Sequence, residues 1–279
     1  MLTPEQLKGK IRNIAHEKNL SSQEILQMYL FERVLERLSK TEYKDNLILK
    51  GGFLIASMIG IDARTTMDMD TTIKGLPVEE GTIIKVINDI LNVEVGDGIS
   101  FTFDRISSIR EDADYNNYRV YFTAHYGKIN NPMKIDITTG DEITPAAIEY
   151  EYKTIFDDAR IPVMAYNLET ALSEKYETII RRNIGTTRAR DFYDLHELMR
   201  LHKDEIDIEI LKAAVANTSR RRGSEKELAD WKSICEDLKN DSAISKLWED
   251  YSTEYSYASG ITYEAIMWSV EELAKMLLH

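Results

Sequence analysis

Apolar residues at Ile25, Leu26, Tyr29, Leu30, Val34 and Leu38 recur at three- and four-residue spacing, the repeat of a helix with one apolar stripe. Ser21 or Ser22 can cap that helix, and Thr3 with Pro4 behind it can cap a shorter one, so the first forty residues predict two packing helices. The short run Leu47 to Leu49 then reads as a strand, Gly51-Gly52 as a tight turn, and Phe53 to Ile59 as a short helix. In MDMDTTIKG the side chains alternate, which predicts a strand ending at Gly75 and Pro77. PVEEGTIIKVINDILNV has helical spacing at Ile83, Ile84, Ile87 and Leu91. After it, ISFTFDRISSIR, YRVYFTAHYG and MKIDITTG alternate with period two, with turns expected at DYNN and at Asn130-Asn131-Pro132.

Helices and strands in this order predict an α+β fold with a mixed sheet over residues 1–165. From residue 166 the pattern turns helical, so 166–279 is expected to form a second, mainly helical domain, with Ser219 to Ser224 as its exposed loop. A length of 279 residues, 43% hydrophobic and 30% charged, suffices for two domains with cores of their own. No run of about 18 apolar residues is present and the N-terminal segment carries charge throughout, so no membrane association and a cytoplasmic location are expected. The single cysteine, Cys235, can form no internal disulfide and has no partners for a zinc site, so a half-buried structural role is expected.

A net charge of -13 argues against nucleic-acid binding over the whole surface. It leaves two local basic clusters: Arg181-Arg182 with Arg188 and Arg190, and Arg220-Arg221-Arg222. Either could hold phosphate, and either could be a solvated helix end.

The chemistry concentrates in Gly51-Gly52, Asp68-x-Asp70 and Asp136. Carboxylates two positions apart on a strand point the same way, about 7 Å apart, and a third on a neighbouring strand would complete a set of hard oxygen ligands for Mg²⁺. The glycine pair leaves backbone N–H groups open to phosphate at the start of a helix. A calcium loop beginning at Asp68 fails, because Ile73 stands where glycine is required and Pro77 falls inside it. Walker A and dinucleotide glycine patterns are absent. His125 and His196 lack the spaced partners of a zinc site or nucleophilic triad. The aromatics of YEYKTIF and YSTEYSYASGITYEAIMW suit a helical core or a loop cover, with base stacking as the minority reading.

The segments LKGGFLIASMIGIDARTTMDMDTTIKG, MKIDITTGD, LSEKYETIIRR and TRARDFYDLHEL, in that order, resemble the AbiEii/AbiGii nucleotidyltransferase toxins of bacterial abortive-infection systems, whose fold is of the DNA polymerase β type. The resemblance implies that Asp68 and Asp70, with Asp136 of the K-x-D motif that begins at Lys134, bind two Mg²⁺ ions. It also implies that Gly51, Gly52 and Lys175 hold a nucleoside triphosphate, and that Asp191, with Asp194 second, is essential. Arg188 and Arg190 could grip the nucleotide or the acceptor backbone, or form ion pairs with Asp191 and Asp194. Arg64 could touch phosphate or stabilise the turn. Where many members carry serine, this chain has Gly52, so only a backbone grip is expected there. The resemblance further implies an acceptor at the 3′ end of tRNA and a cognate antitoxin encoded nearby. Transfer to a protein or small molecule, and nucleotide binding without turnover, are the alternatives.

Overall fold

The computed structural model describes residues 2–109, 117–157 and 159–278, and the chain separates into two compact units. One comprises Met1–Asp141 and Ile148–Ala165, the other Glu142–Ala147 and Tyr166–His279.

In the first unit, helix α1 (Pro4–Glu17) starts at a capping box, in which Thr3 accepts from the Gln6 amide and the Gln6 side chain accepts from that of Thr3. Ser21 and Glu24 repeat the device for α2 (Ser22–Leu38). Then follow β1 (Leu47–Lys50), α3 (Gly51–Ile59), β2 (Met69–Ile73), α4 (Glu80–Leu91), β3 (Ser100–Ile109), β4 (Asn117–Tyr126), β5 (Ile129–Thr138), β6 (Ile148–Lys153) and β7 (Arg160–Ala165). The seven strands form one sheet in the order β3-β4-β5-β2-β1-β7-β6. The β2–β5 and β1–β7 pairs are parallel and the rest antiparallel, which makes the sheet mixed. Helix α3 is anchored through Phe53, whose ring stacks on Tyr152 at 5.2 Å and meets the ring of Phe31 edge-on at 5.3 Å.

Three expectations need correction here. The glycines form no separate turn, because α3 begins at Gly51 itself. Asn130-Asn131-Pro132 lies inside β5, and the hairpin turns at Gly127-Lys128. Pro132 is tolerated because β2 pairs only with Ile135 to Thr138, so β5 has no strand on that side at the proline. YEYKTIF supplies strand β6 rather than a helical core or loop cover. The DYNN turn falls on residues 114–117, of which 114–116 lie outside the described residues.

The second unit consists of α5 (Leu168–Arg182), α6 (Ala189–His202), α7 (Ile208–Arg222), α8 (Glu225–Ala229), α9 (Trp231–Asn240), α10 (Ser242–Glu254) and α11 (Tyr263–Met276), with short 3₁₀ turns between them. The stretch expected as a loop instead completes α7: Gly223 closes it at φ +63°, and Ser219 and Ser224 are buried. Burial of Glu177 explains the local arrangement. Its carboxylate, 0% exposed, accepts from Arg181 and Arg222 at 2.7 Å each and from Ser224 at 2.8 Å. Arg222 also reaches Glu174 at 2.9 Å, so it is an internal brace and not part of a solvated basic run. Cys235 is fully buried, beyond the half-burial expected of it. Among the described residues no helix is long and apolar enough to cross a membrane.

Candidate active site

Strand β1 runs into α3 without a connecting residue, Lys50 being at once the last strand position and the helix N-cap. Gly51 has φ +63°, in the left-handed region, and a Cβ there would collide with the carboxylate of Asp70. Glycine is therefore required twice, by conformation and by space. A Cβ on Gly52 would come within 2.7 Å of the Arg64 guanidinium. Arg64, 2% exposed, donates to the Gly52 carbonyl at 2.9 Å and to that of Thr65 at 3.1 Å. It is thus a buried brace beneath the first turn of α3. The N–H groups of that turn have no intrahelical acceptors and lie at the positive end of the helix.

The sheet register aligns the charged residues. Lys50 on β1 is paired with Asp70 on β2, Asp70 with Asp136 on β5, and Asp136 with Arg119 on β4. In-register neighbours project from the same face, so the two carboxylates lie side by side with a cation at each end of the row. Asp68 stands just ahead of β2, two residues from Asp70. Its Oδ1 lies 2.9 Å from Lys134 Nζ, yet it is buried and has no hydrogen-bond partner, because the ion pair lacks the geometry of one. Asp136 is held more firmly: Arg119 Nε and Nη2 donate to its two oxygens at 2.6 Å each. These bonds push the guanidinium pKa above its already high value. Lys50 turns to Asp141 at 2.6 Å. Burial alone would raise the Asp141 pKa, but the charge and hydrogen bonds of Lys50 and Thr138 prevail and hold it at about 2.

Among the described residues no group of three or more His, Cys, Asp or Glu side chains is gathered as a metal cluster. The reason is local, since Asp136 is turned to Arg119 and Asp68 to Lys134. The donors nevertheless suit a hard divalent cation. They are carboxylate oxygens, those of Asp70 and Asp136 in register on neighbouring strands and those of Asp68 two residues from Asp70, with one Asp68 oxygen buried without a hydrogen-bond partner and a niche at Asp70 that a Cβ on Gly51 would fill.

A second cluster forms in the helical unit. Lys175 of α5 lies 2.7 Å from Asp191 and 2.8 Å from Asp194, both on α6. Asp194 is 0% exposed, and Asp191 lies in the first turn of α6, where the helix dipole favours an anion. One Asp191 oxygen has no hydrogen-bond partner. Lys175 thus takes the place that the sequence left open to Arg188 and Arg190. Arg188 is exposed just before α6, while the Arg190 guanidinium lies over the Tyr255 ring at 5.6 Å. The glycines and three aspartates therefore belong to the sheet unit, and Lys175, Arg188, Arg190, Asp191 and Asp194 to the helical one. His125 bonds to Thr102 and Asn130, and His196 to Ser269.

Sequence reasoning missed Arg119. The signal was the hairpin itself, for a turn at Gly127-Lys128 sets Arg119 opposite Asp136, and the turn expected three residues later hid that pairing.

Compared with known proteins, the chain matches the model of the nucleotidyl transferase AbiEii toxin family, of a type IV toxin–antitoxin system, over residues 33–274. Similar solved structures include a candidate nucleotidyltransferase from H. pylori, with 16% identity and a TM-score of 0.49, covering 93% of this chain and 98% of that one. JHP933 from Helicobacter pylori has the same identity and TM-score, covering 93% of this chain and 95% of its own. An antigenic nucleotidyltransferase-like protein from Paracoccidioides brasiliensis is 15% identical with a TM-score of 0.38, covering 84% and 93%. No curated protein matches.

Proposed function

The chain belongs to the AbiEii family of nucleotidyltransferase toxins of type IV toxin–antitoxin systems, and from that premise we propose that it transfers a nucleoside monophosphate from a triphosphate to the 3′ end of tRNA. Blocking aminoacylation in this way would arrest growth, as abortive infection requires, until a cognate antitoxin intervenes. The observation that carries the reading is the contact of Gly51 with Asp70, which joins a helix start suited to phosphate to a face suited to metal.

In this reading the sheet unit is the nucleotidyltransferase domain, with Asp68, Asp70 and Asp136 as ligands of Mg²⁺. Such an ion supplies charge neutralisation at the phosphates and acidifies the acceptor hydroxyl. The rest is the work of the chain. First-turn N–H groups at Gly51 and Gly52 receive terminal phosphate oxygens, and Arg64 keeps that turn in place from behind. The acceptor oxygen bonds to the α-phosphorus, the bond from that phosphorus to the α–β bridging oxygen breaks, pyrophosphate leaves, and the hydroxyl proton passes to solvent. Lys175 supplies a point charge for the nucleotide phosphates. Asp191 and Asp194 orient it, which gives Asp191 the role that the sequence left undefined. Arg188, exposed beside them, serves the nucleotide or the acceptor backbone.

The test is incubation with total tRNA, Mg²⁺ and each labelled nucleoside triphosphate in turn, beside Asp68→Ala. Label entering tRNA from one nucleotide, and absent with the variant, is expected. Triphosphate binding without label in tRNA would redirect the search to protein or small-molecule acceptors.

A further inference from the structure

Arg119 and Asp136 meet at the end of the β4–β5 hairpin, both oxygens of the carboxylate being occupied by one guanidinium. A guanidinium cannot be removed by losing its proton at any working pH, so only another anion can draw it away. A divalent cation on Asp136 would also stand beside that fixed positive charge, which opposes its binding. Resting on the metal assignment proposed above, we propose that Arg119 is a positioning residue that competes with the divalent cation for Asp136. Free metal binds weakly because it must displace a bidentate partner. Metal arriving with a triphosphate binds well, because the phosphates give Arg119 an alternative anion.

The neighbouring cations sharpen the assignment. Lys134 opposes Asp68 through a single contact without hydrogen-bond geometry, and Lys50 is engaged by Asp141. Arg119, by contrast, occupies both oxygens of Asp136. Its side chain is 32% exposed, so it lies within reach of an incoming anion. The arrangement makes the nucleotide part of the metal site and keeps the carboxylates from filling with metal alone.

The experiment is direct Mn²⁺ binding to the full chain, by electron paramagnetic resonance or calorimetry, with and without a non-hydrolysable triphosphate analogue. The parent is compared with Arg119→Gln, Arg119→Lys and Asp68→Asn, each checked for its thermal melt. Arg119→Gln is expected to bind free Mn²⁺ roughly tenfold tighter than the parent, and to lose that advantage when the analogue is present. Arg119→Lys, which keeps the charge without the fork, should tighten binding by a smaller factor, and it carries the test if the glutamine variant does not fold. Mn²⁺ binding that is unchanged or weaker in the Arg119 variants, while Asp68→Asn weakens it, overturns the competition and leaves the metal assignment standing. Failure of the parent to bind Mn²⁺ even with the analogue overturns both.

Discussion

Glu32 is the buried acid whose titration the structure makes most consequential. It lies on α2 with 0% exposure, accepts from the Ile155 amide at 2.7 Å, and its second oxygen has no hydrogen-bond partner. Burial, only partly countered by Arg33, raises its pKa from an ordinary 4.5 to about 8. The folded protein therefore keeps this proton up to about pH 8, whereas the unfolded chain releases it above 4.5. Between those values the unfolded state binds fewer protons, so stability falls as pH rises, by about 1.4 kcal/mol per pH unit. The full benefit of the neutral acid is present below the lower value and is lost on passing the upper one. From pH 5 to 7 the loss is about 3 kcal/mol, enough to lower the melting temperature by several degrees. Glu32→Gln keeps the shape and removes the titration, so its stability relative to the parent should grow by that amount across the interval. Urea melts at several pH values, followed by circular dichroism, measure the difference. Fluorescence would not serve, because Trp231, Trp248 and Trp268 all lie in the helical unit. Parallel pH curves for parent and variant would refute the burial argument, as would a difference that shrinks with rising pH.

Three further outcomes are expected. Gly51→Ala should abolish triphosphate binding by calorimetry, since it forces a Cβ into the Asp70 carboxylate and costs roughly 1–2 kcal/mol of left-handed backbone strain besides; parent-like affinity would contradict this. Glu177→Ala strips Arg181, Arg222 and Ser224 of a shared buried acceptor and should destabilise the helical unit by about 3–5 kcal/mol, read from the tryptophan-monitored melt. Cys235 is 1% exposed and burial pushes its thiol up to about 12, so a thiol reagent at pH 8 should label it only on unfolding; rapid labelling of the native protein would count against that packing.

The parts of this fold that could be read from sequence are those in which local chemistry and tertiary packing agree. Thr3-Pro4 and Ser21 start helices because their side chains satisfy orphan amides within three residues. Asp70 and Asp136 stand on strands whose alternation fixes a face without knowledge of the partner strand, whereas Asp68, expected on the same strand as Asp70, stands just ahead of it. What lay outside that reach depended on pairing. Pro132 resembles a turn residue until it is known that β2 stops short of it. Pro162 obscures β7 in the same way, although β1 pairs with β7 only through Met164 and Ala165. The ion pair of Lys175 with Asp191 spans two helices, so the adjacent arginines looked the better partners of Asp191. Arg119 needed the hairpin register, which a misplaced turn conceals.

That hairpin also acts as a molecular ruler. Arg119 and Tyr126 stand seven positions apart, as do Ile129 and Asp136, on either side of the two-residue turn. Because side chains alternate and the arms pair residue by residue, one residue inserted into either arm turns its end residue to the opposite face of the sheet, and a second in the same arm restores the face but not the pairing. The hairpin can thus lengthen only by matched insertions in its two arms while keeping the guanidinium opposite the carboxylate.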